Sequence, residues 1–84
     1  MNSTIITLYG AGFCPKTDLI KHHLQGEWID FNYKDVIDDK AAEAEVRELY
    51  DGKLKYPTLV VNGIVYKNPS AKELREILKD LDLD

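Results

Sequence analysis

The chain contains a single cysteine, Cys14, and the residues around it read Gly10-Ala11-Gly12-Phe13-Cys14-Pro15-Lys16-Thr17. A glycine-rich loop runs into the thiol, and the apolar positions Leu19, Ile20 and Leu24 then recur at helical spacing until Gly26. Pro15 suits the first turn of that helix, because its missing N–H would have no intrahelical acceptor there. Cys14 is therefore expected at a helix N-terminus, where unpaired N–H groups and the positive end of the backbone dipoles favour thiolate over thiol. A sulfur whose pKa is lowered in this way is a nucleophile at neutral pH. Thr17 follows three residues later, close enough in a first turn for its hydroxyl to donate a hydrogen bond to the anion. Lys16 adds positive charge, weakened by solvent screening. These residue types describe an exposed reactive turn better than a packed core position.

With one thiol, neither an intramolecular disulfide nor an all-cysteine metal cage can form within the chain. Other candidate sites are weaker. His22 and His23 are adjacent, so they point in different directions on a helix, and no metal-ligand spacing accompanies them; no metal site is expected. Trp28, Phe31 and Tyr33 have the spacing of a sheet edge and core rather than of a base-stacking platform. Asp38, Asp39, Glu43, Glu45 and Glu48 read as helix-capping and solvated acids.

The elements that must position the thiol follow from patterning. Ile5, Ile6, Leu8 and Tyr9 predict a buried first strand ended at Gly10. Trp28 to Asp35 alternates aromatic and polar residues and predicts a second strand, and Asp38 or Asp39 caps a second helix through Ala42, Val46, Leu49 and Tyr50, ended by Asp51-Gly52. Two strand–helix units of this length suit crossovers between parallel strands. Thr58 to Val61, Asn62-Gly63 and Ile64 to Tyr66 then predict a hairpin, since Asn-Gly tolerates the positive φ of a type I′ turn. Ser70 and Glu73 match a capping box before Leu74, Ile77, Leu78 and Leu81 on one helix face, with Asp80 to Asp84 expected to fray. The order is βαβαββα.

Eighty-four residues suffice for one small domain, expected to span 1–84. The 44% apolar and 31% charged composition predicts an ordered globule, and the formal charge of −4 without a Lys/Arg cluster along the chain argues against nucleic acid or an anionic membrane as partner. No run approaches the ~20 apolar residues of a membrane span, and Met1 to Leu8 lacks the features of a signal peptide, so a cytoplasmic location is expected. The absence of disulfide pairs agrees with that expectation.

Tyr9-Gly10 with Phe13-Cys14-Pro15-Lys16-Thr17, the acidic step Asp35-Val36-Ile37-Asp38-Asp39, and Tyr56-Pro57-Thr58-Leu59-Val60-Val61-Asn62-Gly63 together resemble the glutaredoxin branch of the thioredoxin-fold families. The resemblance spans almost the entire chain. It implies an α/β, thioredoxin-like fold: a four-stranded mixed sheet in order 2-1-3-4, its third and fourth strands forming the hairpin, with three surrounding helices. It also implies that Pro57 is a cis-proline facing Cys14 and that the Tyr56 backbone pairs with an extended thiol peptide. On composition alone, Pro57 is equally a turn proline at a strand entry.

The activity implied is that of a glutathione-dependent thiol-disulfide oxidoreductase of cell redox homeostasis, with glutathione as co-substrate, glutathionylated proteins as partners, no tightly bound cofactor, and a monomeric state. Cys14 is the expected nucleophile, with Pro15 and Thr17 in its catalytic turn. Tyr56 and Pro57 would hold the cysteinyl backbone of glutathione, and Lys16, Lys53 or Lys55 its glycyl carboxylate. Its γ-glutamyl carboxylate would sit at the last helix near Ser70, although Lys67-Asn68-Pro69-Ser70 stands where the family has Gly-Gly and a polar residue. Thr17 replaces the second, resolving cysteine of dithiol members, which restricts the chain to a monothiol deglutathionylation cycle. Two alternatives stay open. One is a glutathione-assisted [2Fe-2S] cluster carrier, disfavoured because Cys-Pro-Lys-Thr differs from the Cys-Gly-Phe-Ser of that class. The other is a redox binding module or resolving-cysteine mutant of a dithiol glutaredoxin.

Overall fold

The computed structural model describes residues 5–80, in the order β1 (Ile6–Gly10), α1 (Pro15–Gly26), β2 (Asn32–Asp35), α2 (Lys40–Leu49), β3 (Thr58–Val61), β4 (Ile64–Lys67) and α3 (Ala71–Asp80). The strands form one sheet in the order β2-β1-β3-β4, as expected. β1 pairs in parallel with β2, Leu8 opposite Tyr33, and antiparallel with β3, Leu8 opposite Leu59. The hairpin closes as the Asn-Gly pair predicts, with φ of 50° at Asn62 and 87° at Gly63.

Strand alternation divides the core between two faces of the sheet. Ile6, Leu8, Leu59 and Val61 pack with Ile20 and Leu24 of α1 and Leu74 and Leu78 of α3. On the other face Tyr9 packs with Val36 and with Ala42 and Val46 of α2. β1 lies inside the sheet and faces helices on both sides, which is why Ile6, Leu8, Tyr9 and Gly10 are all buried. The capping box at α3 is reciprocal: Ser70 N donates to Glu73 Oε1 at 3.1 Å, and Glu73 N donates to Ser70 Oγ at 3.2 Å. Asp39 caps α2, accepting from Ala41 N at 2.9 Å and Ala42 N at 3.2 Å.

Several expectations need correction. The second strand begins at Asn32, not Trp28, because the chain turns at Trp28 with a φ of 59°. Trp28 is 92% exposed and belongs to neither sheet nor core, whereas Phe31 and Tyr33 are partly buried against the α1–α3 side. Leu19 and Leu49 face solvent, as does Ile5 before β1. The inner stripe of α1 is Thr17, Ile20 and Leu24, so a threonine occupies the first buried position of that helix. Of the segment Asp80 to Asp84 expected to fray, Asp80 is the last residue of α3, and the remainder, with Leu81, lies outside the described residues.

Candidate functional site: the thiol at the start of α1

Cys14 is the N-cap residue of α1, extended at φ −90° and ψ 116°, with Pro15 in the first helical position. Its N–H donates to Ala11 O at 3.0 Å, and its carbonyl accepts the first helical bond from Asp18 N at 3.1 Å. The loop turns back on itself and starts the helix within four residues, leaving the thiol partly exposed at the edge.

Three contacts hold that loop. From below, the wholly buried Thr17 accepts a hydrogen bond from Ala11 N at 3.3 Å through Oγ1. Its side chain fills the space beside Gly10, where an added Cβ would overlap it. From the side, Asp35 Oδ2 accepts from Gly12 N at 3.2 Å, while its other oxygen accepts from Ile37 N at 2.8 Å and Asp38 N at 3.2 Å. Those bonds, led by the Ile37 N–H, hold the Asp35 carboxyl below the usual carboxylate range. From the far side, the ring of Phe13 meets Tyr56 edge-on with centroids 6.3 Å apart.

The electrostatics at the sulfur are a contest between burial and donors. Burial alone pushes the Cys14 thiol up; the Thr17 hydroxyl, the Thr17 and Lys16 backbone N–H groups and the Lys16 charge outweigh it, so its pKa lies below the ordinary value. The sulfur closes no capping hydrogen bond of its own. The anion is thus favoured by several donors around it rather than by one tight bond. A partly exposed sulfur in such surroundings is equipped for nucleophilic attack on a disulfide.

Tyr56 and Pro57 lie in the loop before β3, joined by a cis peptide bond, with Pro57 buried. Pro57 O accepts from Asn68 N at 2.9 Å, tying the loop to the end of β4. Behind it Thr58 Oγ1 donates to Lys55 O at 3.0 Å and lies 3.0 Å from the Tyr50 hydroxyl. Lys55 Nζ lies 5.4 Å from the centre of the Tyr50 ring. The Phe13–Tyr56 contact joins the loop that ends at Cys14, and through it the first turn of α1 with Pro15, Lys16 and Thr17, to the loop that carries Tyr56 and Pro57.

Lys53 is exposed and lies two residues before Lys55 on the same loop, and its charge adds to the lowering of the Lys55 pKa. Ser70 is engaged elsewhere, both its N–H and its hydroxyl being used by Glu73. The roles of Gly10 and Asp35 were not apparent from the sequence. Gly10 stands in a strand with no turn to explain it, and its need for glycine arises from Thr17 seven residues away. Asp35 has the turn-forming residue type, but its reach to Gly12 depends on β1 and β2 being neighbours.

No family model and no curated protein sequence matches the chain. Among solved structures, a threonine-to-alanine variant of the thioredoxin-like protein BC3987 matches with a TM-score of 0.77 and 27% identity, over 87% of this chain and 97% of that one. The unmodified BC3987 protein matches with a TM-score of 0.69 and 29% identity over 90% and 97%. A glutaredoxin from Archaeoglobus fulgidus matches with a TM-score of 0.74 over 92% and 88%, at 16% identity, a likeness of fold. The chain has the thioredoxin-like fold, with its one cysteine at the start of α1.

Proposed function

We propose that the chain is a thiol-disulfide oxidoreductase working with glutathione through a monothiol cycle. The observation that carries this reading is Cys14 at the N-cap of α1, partly exposed, its pKa lowered by donors of the same turn, beside the Tyr56–Pro57 loop. The structural likeness to thioredoxin-like proteins supports redox chemistry in general; glutathione is proposed from the sequence resemblance.

In the first step, Cys14 thiolate attacks the glutathione sulfur of a glutathionylated protein. A Cys14–glutathione S–S bond forms, the protein–glutathione S–S bond breaks, and the protein thiolate leaves and takes up a proton. A second glutathione, as thiolate, then attacks the glutathione sulfur of the adduct, regenerating Cys14 thiolate and giving oxidised glutathione. The residues of the chain have separate parts in this. The Thr17 hydroxyl and the N–H groups of Lys16 and Thr17 stabilise Cys14 as the attacking and departing anion. Tyr56 and Pro57 would line the groove for the extended backbone of the thiol peptide, and Lys16, Lys53 and Lys55 are the cations available to its glycyl carboxylate.

One observation favours a second reading, a redox binding module that forms the adduct but turns it over poorly. The Glu73 carboxylate already occupies the Ser70 N–H at the start of α3, where the γ-glutamyl carboxylate of glutathione would otherwise be received.

The test mixes the protein with a glutathionylated peptide, follows Cys14 by mass spectrometry, and then adds reduced glutathione. An adduct on Cys14 followed by glutathione-dependent peptide release at many turnovers supports the enzyme. An adduct that forms but turns over poorly supports the binding module, and no adduct on folded protein rejects both.

A further inference from the structure

The lysines beside the Tyr56–Pro57 loop are more than one carboxylate requires. Lys67 ends β4 directly opposite Thr58, and cross-strand partners project to the same side of a sheet. On that side the Thr58 hydroxyl contacts Tyr50 and the carbonyl of Lys55, and the Lys55 ammonium rests near the Tyr50 ring. The next residue, Asn68, donates its N–H to Pro57 O at 2.9 Å. Lys55, from the loop before β3, and Lys67, from the end of β4, therefore flank the Tyr56–Pro57 step, and Lys53 precedes Lys55 on that loop.

All three lysines are at least partly exposed. Among the described residues the ion pairs made by lysine and arginine are Lys34–Glu45 and Arg47–Glu43, and neither involves these lysines. The Lys55 ammonium is held below its usual pKa first by the charge of Lys67, then by desolvation, by the Lys67 side chain beside it and by the charge of Lys53. Unpaired like charges gathered at one rim of a chain with a formal charge of −4 lack their counter-charge.

We infer that Lys53, Lys55 and Lys67 form a cationic rim on the groove beside Cys14 that selects disulfide-bearing polypeptides with acidic residues flanking the reacting sulfur. The inference rests on the thiol-disulfide exchange at Cys14 proposed above; it places the polypeptide where glutathione would otherwise lie, so that Cys14 attacks the polypeptide sulfur, and it adds Lys67 and a class of protein substrate. An acidic segment laid along the groove would offer several carboxylates to three ammonium groups. Its sulfur would reach Cys14 across Tyr56, which follows Lys55 directly in the chain and meets the ring of Phe13, the residue before Cys14.

Three peptides of equal length test it, each with one cysteine as its 2-pyridyl mixed disulfide, flanked by Glu, by Gln or by Lys. Cys14 thiolate attacks the peptide sulfur, a Cys14–peptide S–S bond forms as the peptide–pyridyl S–S bond breaks, and the departing pyridine-2-thiolate takes up a proton on its ring nitrogen to give thiopyridone, which is followed by its absorbance. At low ionic strength the Glu peptide is expected to react about tenfold faster than the Gln peptide. That advantage should fall toward unity near 1 M salt, where the Debye length is about 3 Å. The overall negative charge would produce the opposite order, so a preference for Glu reports the local rim. Lys67→Glu should cut the Glu-over-Gln ratio about threefold or more, and Lys67→Gln should cut it less. Equal rates for the Glu and Gln peptides, or a ratio unchanged in Lys67→Glu, would overturn the inference while leaving exchange at Cys14 intact. Failure of all three peptides to react would overturn the exchange reading itself and the inference with it.

Discussion

The single hydroxyl of Thr17 has two partners. Its oxygen accepts the Ala11 N–H, which keeps the loop closed, and the group also favours the Cys14 thiolate. Thr17→Ala is therefore expected to raise the inflection of Cys14 alkylation with pH and to cost about 1–3 kcal/mol of stability, since a buried N–H loses its acceptor. Thr17→Ser keeps the hydroxyl and should keep most of the pKa shift. A Thr17→Ala titration that matches wild type would remove the hydroxyl from the chemistry. Gly10→Ala drives a methyl group into the Thr17 side chain and should lose about 1–3 kcal/mol in a urea titration. Because the clash is with Thr17 itself, Gly10→Ala combined with Thr17→Ala should lose less than the two single costs added together. Strict additivity would mean that the clash is relieved elsewhere. Thr17 is legible as a neighbour of the sulfur from its spacing alone. Its burial against Gly10 is not, because that requires α1 to lie across the end of β1.

At the scale of elements, the Asn62-Gly63 turn, the Asp39 cap and the Ser70–Glu73 box were legible because each is a short-range pattern whose residues satisfy one another's backbone groups. The extent of β2 was not. Its aromatic alternation suggested a longer strand, but Ile29 N is taken by Leu24 O and Trp28 N by Gln25 O, so the exit of α1 uses the first of those residues. Likewise Leu19 has the spacing of a core position, yet Thr17, Ile20 and Leu24 fill the stripe. Asp35 joins β2 to the Cys14 loop and to the turn before α2, so Asp35→Ala should loosen both and lower stability by about 1 kcal/mol, as for a lost cap. The sign with pH follows from its depressed pKa. Its contribution is complete above the unfolded carboxylate value of about 4 and is lost as pH falls through the lower folded value. Wild type and Asp35→Ala should therefore converge in urea midpoint on acidification; a gap of constant size from neutral to strongly acid pH would show that the carboxylate charge is irrelevant.

For the whole molecule, the two faces of the sheet carry different loads. The buried centre of the α1–α3 face is aliphatic, with Phe31, Tyr33 and Tyr66 at its margin, so Leu59→Ala is expected to cost about 2–5 kcal/mol in a urea titration. The α2 face includes a polar contact in which Tyr9 OH donates to Glu45 Oε1 at 2.7 Å, while Lys34 Nζ lies 3.1 Å from the same oxygen. Burial, followed by the Glu45 bond and charge, pushes the Tyr9 pKa up to about 12. A raised pKa stabilises the fold fully below the unfolded tyrosine value of about 10, and that contribution is lost as pH rises toward about 12. Tyr9→Phe should flatten the alkaline limb of the stability profile, and an unchanged limb would assign it to other groups.

The claim on which the rest depends is that this fold presents Cys14 as a stabilised thiolate. It is tested by the rate of Cys14 alkylation on folded protein from acid to alkaline pH, the product being identified by mass and the urea-unfolded chain serving as reference. The expected result is an inflection below both that reference and the ordinary thiol value of about 8.5, with ready reaction at neutral pH. An inflection at about 8.5 or above, coincident with the unfolded chain, would contradict it.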